Sequence, residues 1–194
     1  MAAVAFRHHG GADAGLILPL VKQAIPLSDP SPVMELSPSD TPLSDPFLPG
    51  LCLLYAFDRL PEFEIVLERH VSALRLPPAS LRSLAIDNLR RRLPRIERHG
   101  NHPAYMLTAG GNLESSLLLL EDLWEQQSAD VPGELVVAIP ARDVVVFTGS
   151  ESPEGLEAIR GSVSRLWPSG DHLLTRDLFV WRSHSWHLFE PAAA

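Results

Sequence analysis

Seven consecutive apolar residues, Leu51-Cys52-Leu53-Leu54-Tyr55-Ala56-Phe57, predict a buried strand over 51–57. Alternation of apolar and polar positions over 63–67 predicts a second strand. Pro77-Pro78 then breaks the chain, and Ser80 can cap a helix running to about residue 93, where Pro94 stops it. Residues 105–109 read as a strand that ends at Gly110-Gly111, and Asn112 can cap a second helix over 113–127. Two β-rich runs, 134–140 and 144–148, flank the short turn Ala141-Arg142-Asp143 and predict a hairpin. A third helix starts at Ser152 or Pro153 and reaches Trp167, and runs 177–182 and 185–189 form another hairpin across Ser183-His184. Tight turns make neighbouring strands antiparallel. The expected class is α+β, a largely antiparallel sheet of strand pairs and hairpins with three helices packed on one face.

Ahead of this pattern the chain reads differently. Residues 19–49 hold eight prolines, and the tetrapeptide Leu-Ser-Asp-Pro occurs at 27–30 and again at 43–46. Proline removes a donor and fixes φ, so neither a helix nor a central strand is expected there. The division that follows is a disordered N-terminus over 1–15, a Pro-rich arm over 16–48 and a single α+β domain over 49–190. A polyproline-type ligand is the functional reading of the arm, but no basic residue flanks it.

Composition adds exclusions more than identity. The 194 residues are 45% hydrophobic and 21% charged, values of an ordinary globular chain rather than a disordered one. No apolar run approaches membrane-spanning length, and residues 1–15 lack the apolar core of a secretory signal. The single cysteine, Cys52, permits no internal disulfide. Together these point to a cytoplasmic protein with no membrane contact. Arginine outnumbers lysine so heavily that Lys22 stands alone.

Charge changes the picture further. The net charge is −8, but it is unevenly spread. Residues 59–98 carry nine Arg against five acids, whereas residues 100–157 carry ten acids against Arg142 alone. Such blocks can pair internally, pair with a partner or self-associate.

Several constellations could carry chemistry. Arg90-Arg91-Arg92-Leu93-Pro94-Arg95 could attract phosphates, yet basic residues also belong in the last turn of a helix. With no interleaved aromatics and an acidic chain, nucleic-acid binding is not expected. Asn88 falls inside the apolar stripe Leu81, Leu84, Ala85 and Leu89, so its amide must find partners, either a strand backbone or a ligand. Gly110, Gly111, Asn112 and Glu114 form a strand-to-helix junction that could cradle a phosphate. Glu114, however, places a carboxylate where the anion would sit. His99 and His102, or His184 and His187, lack the paired ligand sets that zinc needs, and no G-x-S-x-G elbow is present. Neither cofactor nor metal is expected.

Residues 51–58, 85–93, 105–120, 132–146 and 178–186 (LCLLYAFD, AIDNLRRRL, YMLTAGGNLESSLLLL, PGELVVAIPARDVVV and LFVWRSHSW) resemble the YtpQ-like family, a bacterial domain of unknown function. The resemblance runs from about residue 18 to 189 and matches the C-terminal portion of longer members. It implies a bacterial α+β protein and brings no established activity. Within the matching motifs the candidate ligand or partner contacts are Asn88, Gly110, Gly111, Asn112, Glu114, Arg142 and Asp143. The functional expectation is a non-catalytic interaction module, regulatory or toxin-neutralising, that uses an acidic surface to hold a protein partner. The alternatives are an enzyme with a polar site near Asn88, Asn112 and Glu114, and an Arg-dependent binder of phosphate ligands.

Overall fold

The computed structural model describes residues 13–24, 37–59 and 62–190. Strand β1 (Ile17–Gln23) is followed by β2 (Ser44–Pro46), β3 (Leu51–Arg59) and β4 (Glu62–Ile65). All of them pair antiparallel with β3. β1 lies along one side of it, from Ile17 opposite Phe57 to Gln23 opposite Leu51, and β2 and β4 divide the other side. The stretch expected to be a Pro-rich arm therefore opens with a strand buried from Ile17 through Val21. Pro19 is tolerated because β1 is an edge strand, where a missing N–H need not interrupt a ladder. Its carbonyl accepts a hydrogen bond from buried Ser116 Oγ at 2.8 Å. The expectations for residues 1–12 and 25–36 fall outside the described residues.

Two helices pack on this first sheet. Helix α1 (Glu68–Leu74), which the hydrophobic pattern did not signal, is short and ends at Arg75 in the left-handed region, φ 53°. Helix α2 (Leu81–Arg92) matches the predicted span and stops where Leu93 turns extended before Pro94. Val71, Leu81 and Ala85 close a cluster with Ile17, Tyr55, Phe57 and Val66.

The second sheet holds β5 (Glu97–His99), β6 (Tyr105–Thr108), β7 (Leu135–Ala141), β8 (Val144–Gly149), β9 (Leu178–Arg182) and β10 (Ser185–Glu190), in the order β10-β9-β7-β8-β6-β5. Every pairing is antiparallel. Both predicted hairpins are present, while β5 occupies residues with no strand signature. Helix α3 (Glu121–Ser128) lies on the inner side of this sheet and α4 (Pro153–Leu166) on the outer side. Leu135, Val137 and Ile139 point inward, and Val136 and Ala138 meet Ile159 and Val163 of α4. β7 is covered on both faces, which is why it reads as one apolar run without alternation.

The class is α+β, as expected, but the strands form two sheets and the helices do not share one face. The reason lies in the largest cluster, which fills the space between the sheets. Fully buried Trp124 of α3 stands edge-on to Phe147 at 5.8 Å and to Trp186 at 5.1 Å. One face could not bury this inner layer together with the apolar stripes of α2 and α4.

The predicted helix over 113–127 is also corrected. Residues Glu114–Leu119 form a 3₁₀ segment, and Leu120, at φ −98° and ψ 85°, separates it from α3. Leu117, Leu118, Leu119 and Leu120 are all buried, and four consecutive residues cannot share one face of an α-helix.

Candidate functional site

Asn88 is 1% exposed on the inward stripe of α2. Its Nδ2 donates to the carbonyls of Ala14 at 2.7 Å and Ile17 at 2.9 Å, and its Oδ1 accepts from Arg91 at 2.5 Å. Both amide hydrogens and the carbonyl are thus engaged. Asn88 fastens α2 to the beginning of β1.

The junction after β6 is built around Glu114, also 1% exposed. Oε1 accepts from the backbone N–H of Ala109 at 2.7 Å and of Gly111 at 2.6 Å, and Oε2 accepts from Leu113 at 3.1 Å. Gly110 and Gly111 make this wrap possible, with φ of 91° and 85° in the left-handed region. The N–H groups that could have cradled a phosphate are occupied by the chain's own carboxylate. Asn112 is exposed, and its expected capping role is absent: the 3₁₀ segment is preceded by Leu113 and has no side-chain cap. Asn88 and Glu114 are engaged separately by backbone groups and Asn112 is exposed, so the three do not form one polar site.

The β7–β8 turn meets this junction. The carbonyl of Arg142 accepts from Ser115 N–H at 3.0 Å, and Arg142 N–H donates to His172 at 3.1 Å. Asp143, next in the turn, is exposed. Arg142 itself is partly buried, and its Nε is shielded from solvent without a hydrogen-bond partner, as is the hydroxyl of buried Ser115. The end of β1 reaches the same corner. Gln23 Nε2 donates to the carbonyl of Leu174 at 3.0 Å, and Leu174 N–H donates to Pro140 at 2.9 Å. Lys22 stands opposite Cys52 in the β1–β3 register, so both side chains lie on one face of the sheet. Burial, and then the nearby Arg142 guanidinium, push the Lys22 ammonium below its ordinary value. Burial raises the Cys52 thiol, and Lys22 opposes that rise. Sequence reasoning singled out Arg142 but missed Lys22 and Ser115. The available signal was the uniqueness of Lys22, which had no spatial meaning before the register was known.

On the outer face of the second sheet a cleft of about 380 Å³ opens between β6 and α4. Tyr105, Met106, Val146, Ala158, Ile159 and Ser162 line it. Met106, 37% exposed, is one of two large exposed apolar residues among the described ones. His99 stands at its edge and shares a hydrogen bond with Thr108 Oγ1 at 2.8 Å. Among the described residues no group of three or more His, Cys, Asp or Glu side chains is placed to hold a metal. No helix among them is long and apolar enough to cross a membrane.

The charge blocks partly neutralise each other. Arg90 pairs with Asp122 and Arg98 with Asp130, both at 2.6 Å. Arg182 forks onto Glu134, and His184 reaches Glu125 at 2.6 Å. Arg92 pairs with Asp58, so the Arg-rich end of α2 is largely engaged within the fold. The hydrogen bond from Arg90 holds the Asp122 carboxyl below its usual range. Among the described residues Glu121, Asp143, Glu151, Glu154 and Glu157 remain exposed without an ion-pair partner.

No family model and no solved structure matches the chain. UPF0354 protein BH3252 of Halalkalibacterium halodurans is 23% identical over 131 residues, covering 66% of this chain and 49% of its own length. UPF0354 protein Bcer98_3354 of Bacillus cytotoxicus is 23% identical over 141 residues, covering 72% and 51%. The chain spans about half the length of the curated relatives it matches. It is a distant homologue of the UPF0354 proteins, an uncharacterised bacterial family.

Proposed function

We propose that this chain is a non-catalytic interaction module, regulatory or neutralising in role, that docks a basic amphipathic segment of a protein partner in the cleft between β6 and α4. The observation that carries this reading is the composition of that surface. Met106, Tyr105, Val146 and Ile159 give it an apolar floor, Arg165 from the last turn of α4 lines one end, and the first turn of α4 carries Glu154 just beyond the other end. At 100° per residue Glu154 lies one turn before Ala158 on the stripe that lines the cleft, and Glu157 lies on the flank of that stripe. Both carboxylates are exposed without an ion-pair partner among the described residues. An apolar floor with carboxylates toward the start of α4 and Arg165 toward its end suits a helix with apolar anchors whose Lys or Arg residues lie at the Glu154 end. The YtpQ-like resemblance is the finer form of the relationship to UPF0354 proteins, and it assigns no competing activity.

The test is co-purification from a bacterial lysate with the wild-type chain, the Met106→Glu variant and the Glu154→Lys/Glu157→Lys variant. We expect a partner retained at low salt, lost with Met106→Glu and weakened by charge reversal, with retention falling as salt rises. Absence of any retained protein, or capture equal in all three chains, sinks the reading.

A further inference from the structure

The corner where β1, the β7–β8 turn and the Glu114 junction meet contains more positive charge than its surroundings offset. Lys22 and Arg142 are both partly buried, and neither has an ion-pair partner among the described residues. The Nε of Arg142 and the hydroxyl of Ser115 are shielded from solvent and unpartnered. The two residues are joined through their backbones by the Ser115-to-Arg142 hydrogen bond at 3.0 Å. The nearest carboxylate along the chain, Glu114, is occupied by three backbone N–H groups. Asp143 is exposed beyond the turn.

Two partly buried cations within electrostatic reach repel each other, and an orphaned buried donor carries its full desolvation cost. Among the described residues no carboxylate pairs with either cation, and no acceptor meets the two orphaned donors. One ligand chemistry relieves all of them: an oxyanion accepts from the Arg142 guanidinium, from the Ser115 hydroxyl and from the Lys22 ammonium at once. We infer that Lys22, Arg142 and Ser115 form a binding site for the phosphate or carboxylate group of a small ligand. The site is separate from the cleft between β6 and α4 and stands or falls independently of it. It also differs from the Arg90–Arg95 cluster, whose guanidinium groups at Arg90, Arg91 and Arg92 already have partners within the fold.

Lys22 makes the proposal directly testable, because it is the only lysine in the chain. Its amine, lowered by burial and by Arg142, should react readily with an amine-acylating reagent, read by peptide mapping apart from the N-terminal amine. An anion seated between Lys22 and Arg142 covers the amine and restores its charge. We expect millimolar inorganic phosphate or citrate to slow Lys22 acylation several-fold relative to chloride of equal ionic strength. Arg142→Gln should weaken that protection by about tenfold in anion concentration. Protection by phosphate alone assigns a phosphate group, and protection by citrate alone assigns a carboxylate. Acylation unaffected by either anion in the wild-type chain overturns the proposal, as does equal protection in a folded Arg142→Gln variant.

Discussion

Two buried polar residues show how far residue-level reasoning reaches. Asn88 was identifiable because helix periodicity placed a polar amide among leucines, and a buried amide must be satisfied. Which groups satisfy it was not readable, because Ala14 and Ile17 lie more than 70 residues away in the chain. Glu114 was identifiable only as an acid near a helix start. Its burial was not readable from the sequence, since an isolated carboxylate in a core is costly unless hydrogen-bonded. Three backbone donors meet that cost, and they exist because Gly110 and Gly111 adopt positive φ. The Glu114→Gln variant keeps the shape but turns one oxygen into a donor that faces an N–H. We expect a loss of about 2–4 kcal/mol in urea unfolding. A change below about 0.5 kcal/mol would show that water can replace the carboxylate.

At the scale of elements, local signals worked where the environment agreed with them. α4 begins as its sequence implies, with the Ser152 hydroxyl accepting from Gly155 N–H at 3.2 Å and Pro153 in the first turn. Signals failed where packing overrode them: Pro19 within β1, and the leucine run split between a 3₁₀ segment and α3. Gly155 offers a test of the same contest. Helix propensity alone favours Gly155→Ala by about 1 kcal/mol. In the fold, however, a Cβ there would lie 2.0 Å from Thr148 Oγ1 and 2.5 Å from the carbonyl of Pro103. Thr148 Oγ1 already donates to that carbonyl at 2.5 Å. We therefore expect Gly155→Ala to destabilise by about 2 kcal/mol or more, as for other overpacked sites. A rise in thermal midpoint would mean that α4 shifts freely on the sheet.

For the whole molecule, the charge blocks seen along the chain turn out to be partly a pairing code between distant elements. Arg90 of α2 reaches Asp122 of α3, and Arg182 of β9 reaches Glu134 ahead of β7. Both groups of the first pair are more than a third exposed, so the pair is worth under about 1 kcal/mol. Its pH dependence follows from the lowered Asp122 carboxyl. A carboxyl depressed in the folded state stabilises above its unfolded value near pH 4, and the contribution fades as pH falls through the lower folded value. The stability gap between wild type and Arg90→Ala should therefore be present at pH 7 and close as pH falls below the ordinary carboxylate range. A gap unchanged by pH would remove the ion pair from the account. The sequence by itself determined the α+β class, the two hairpins, the spans of α2 and α4, and the burial of Asn88, because hydrophobic period, proline stops and caps act within one or two turns of chain. Only the tertiary structure decided that there are two sheets, that β1 crosses a proline, that Glu114 closes its own loop, and that Lys22 comes within electrostatic reach of Arg142. Those outcomes depend on strand register and on contacts between residues far apart in the chain, and no local pattern encodes where such residues meet.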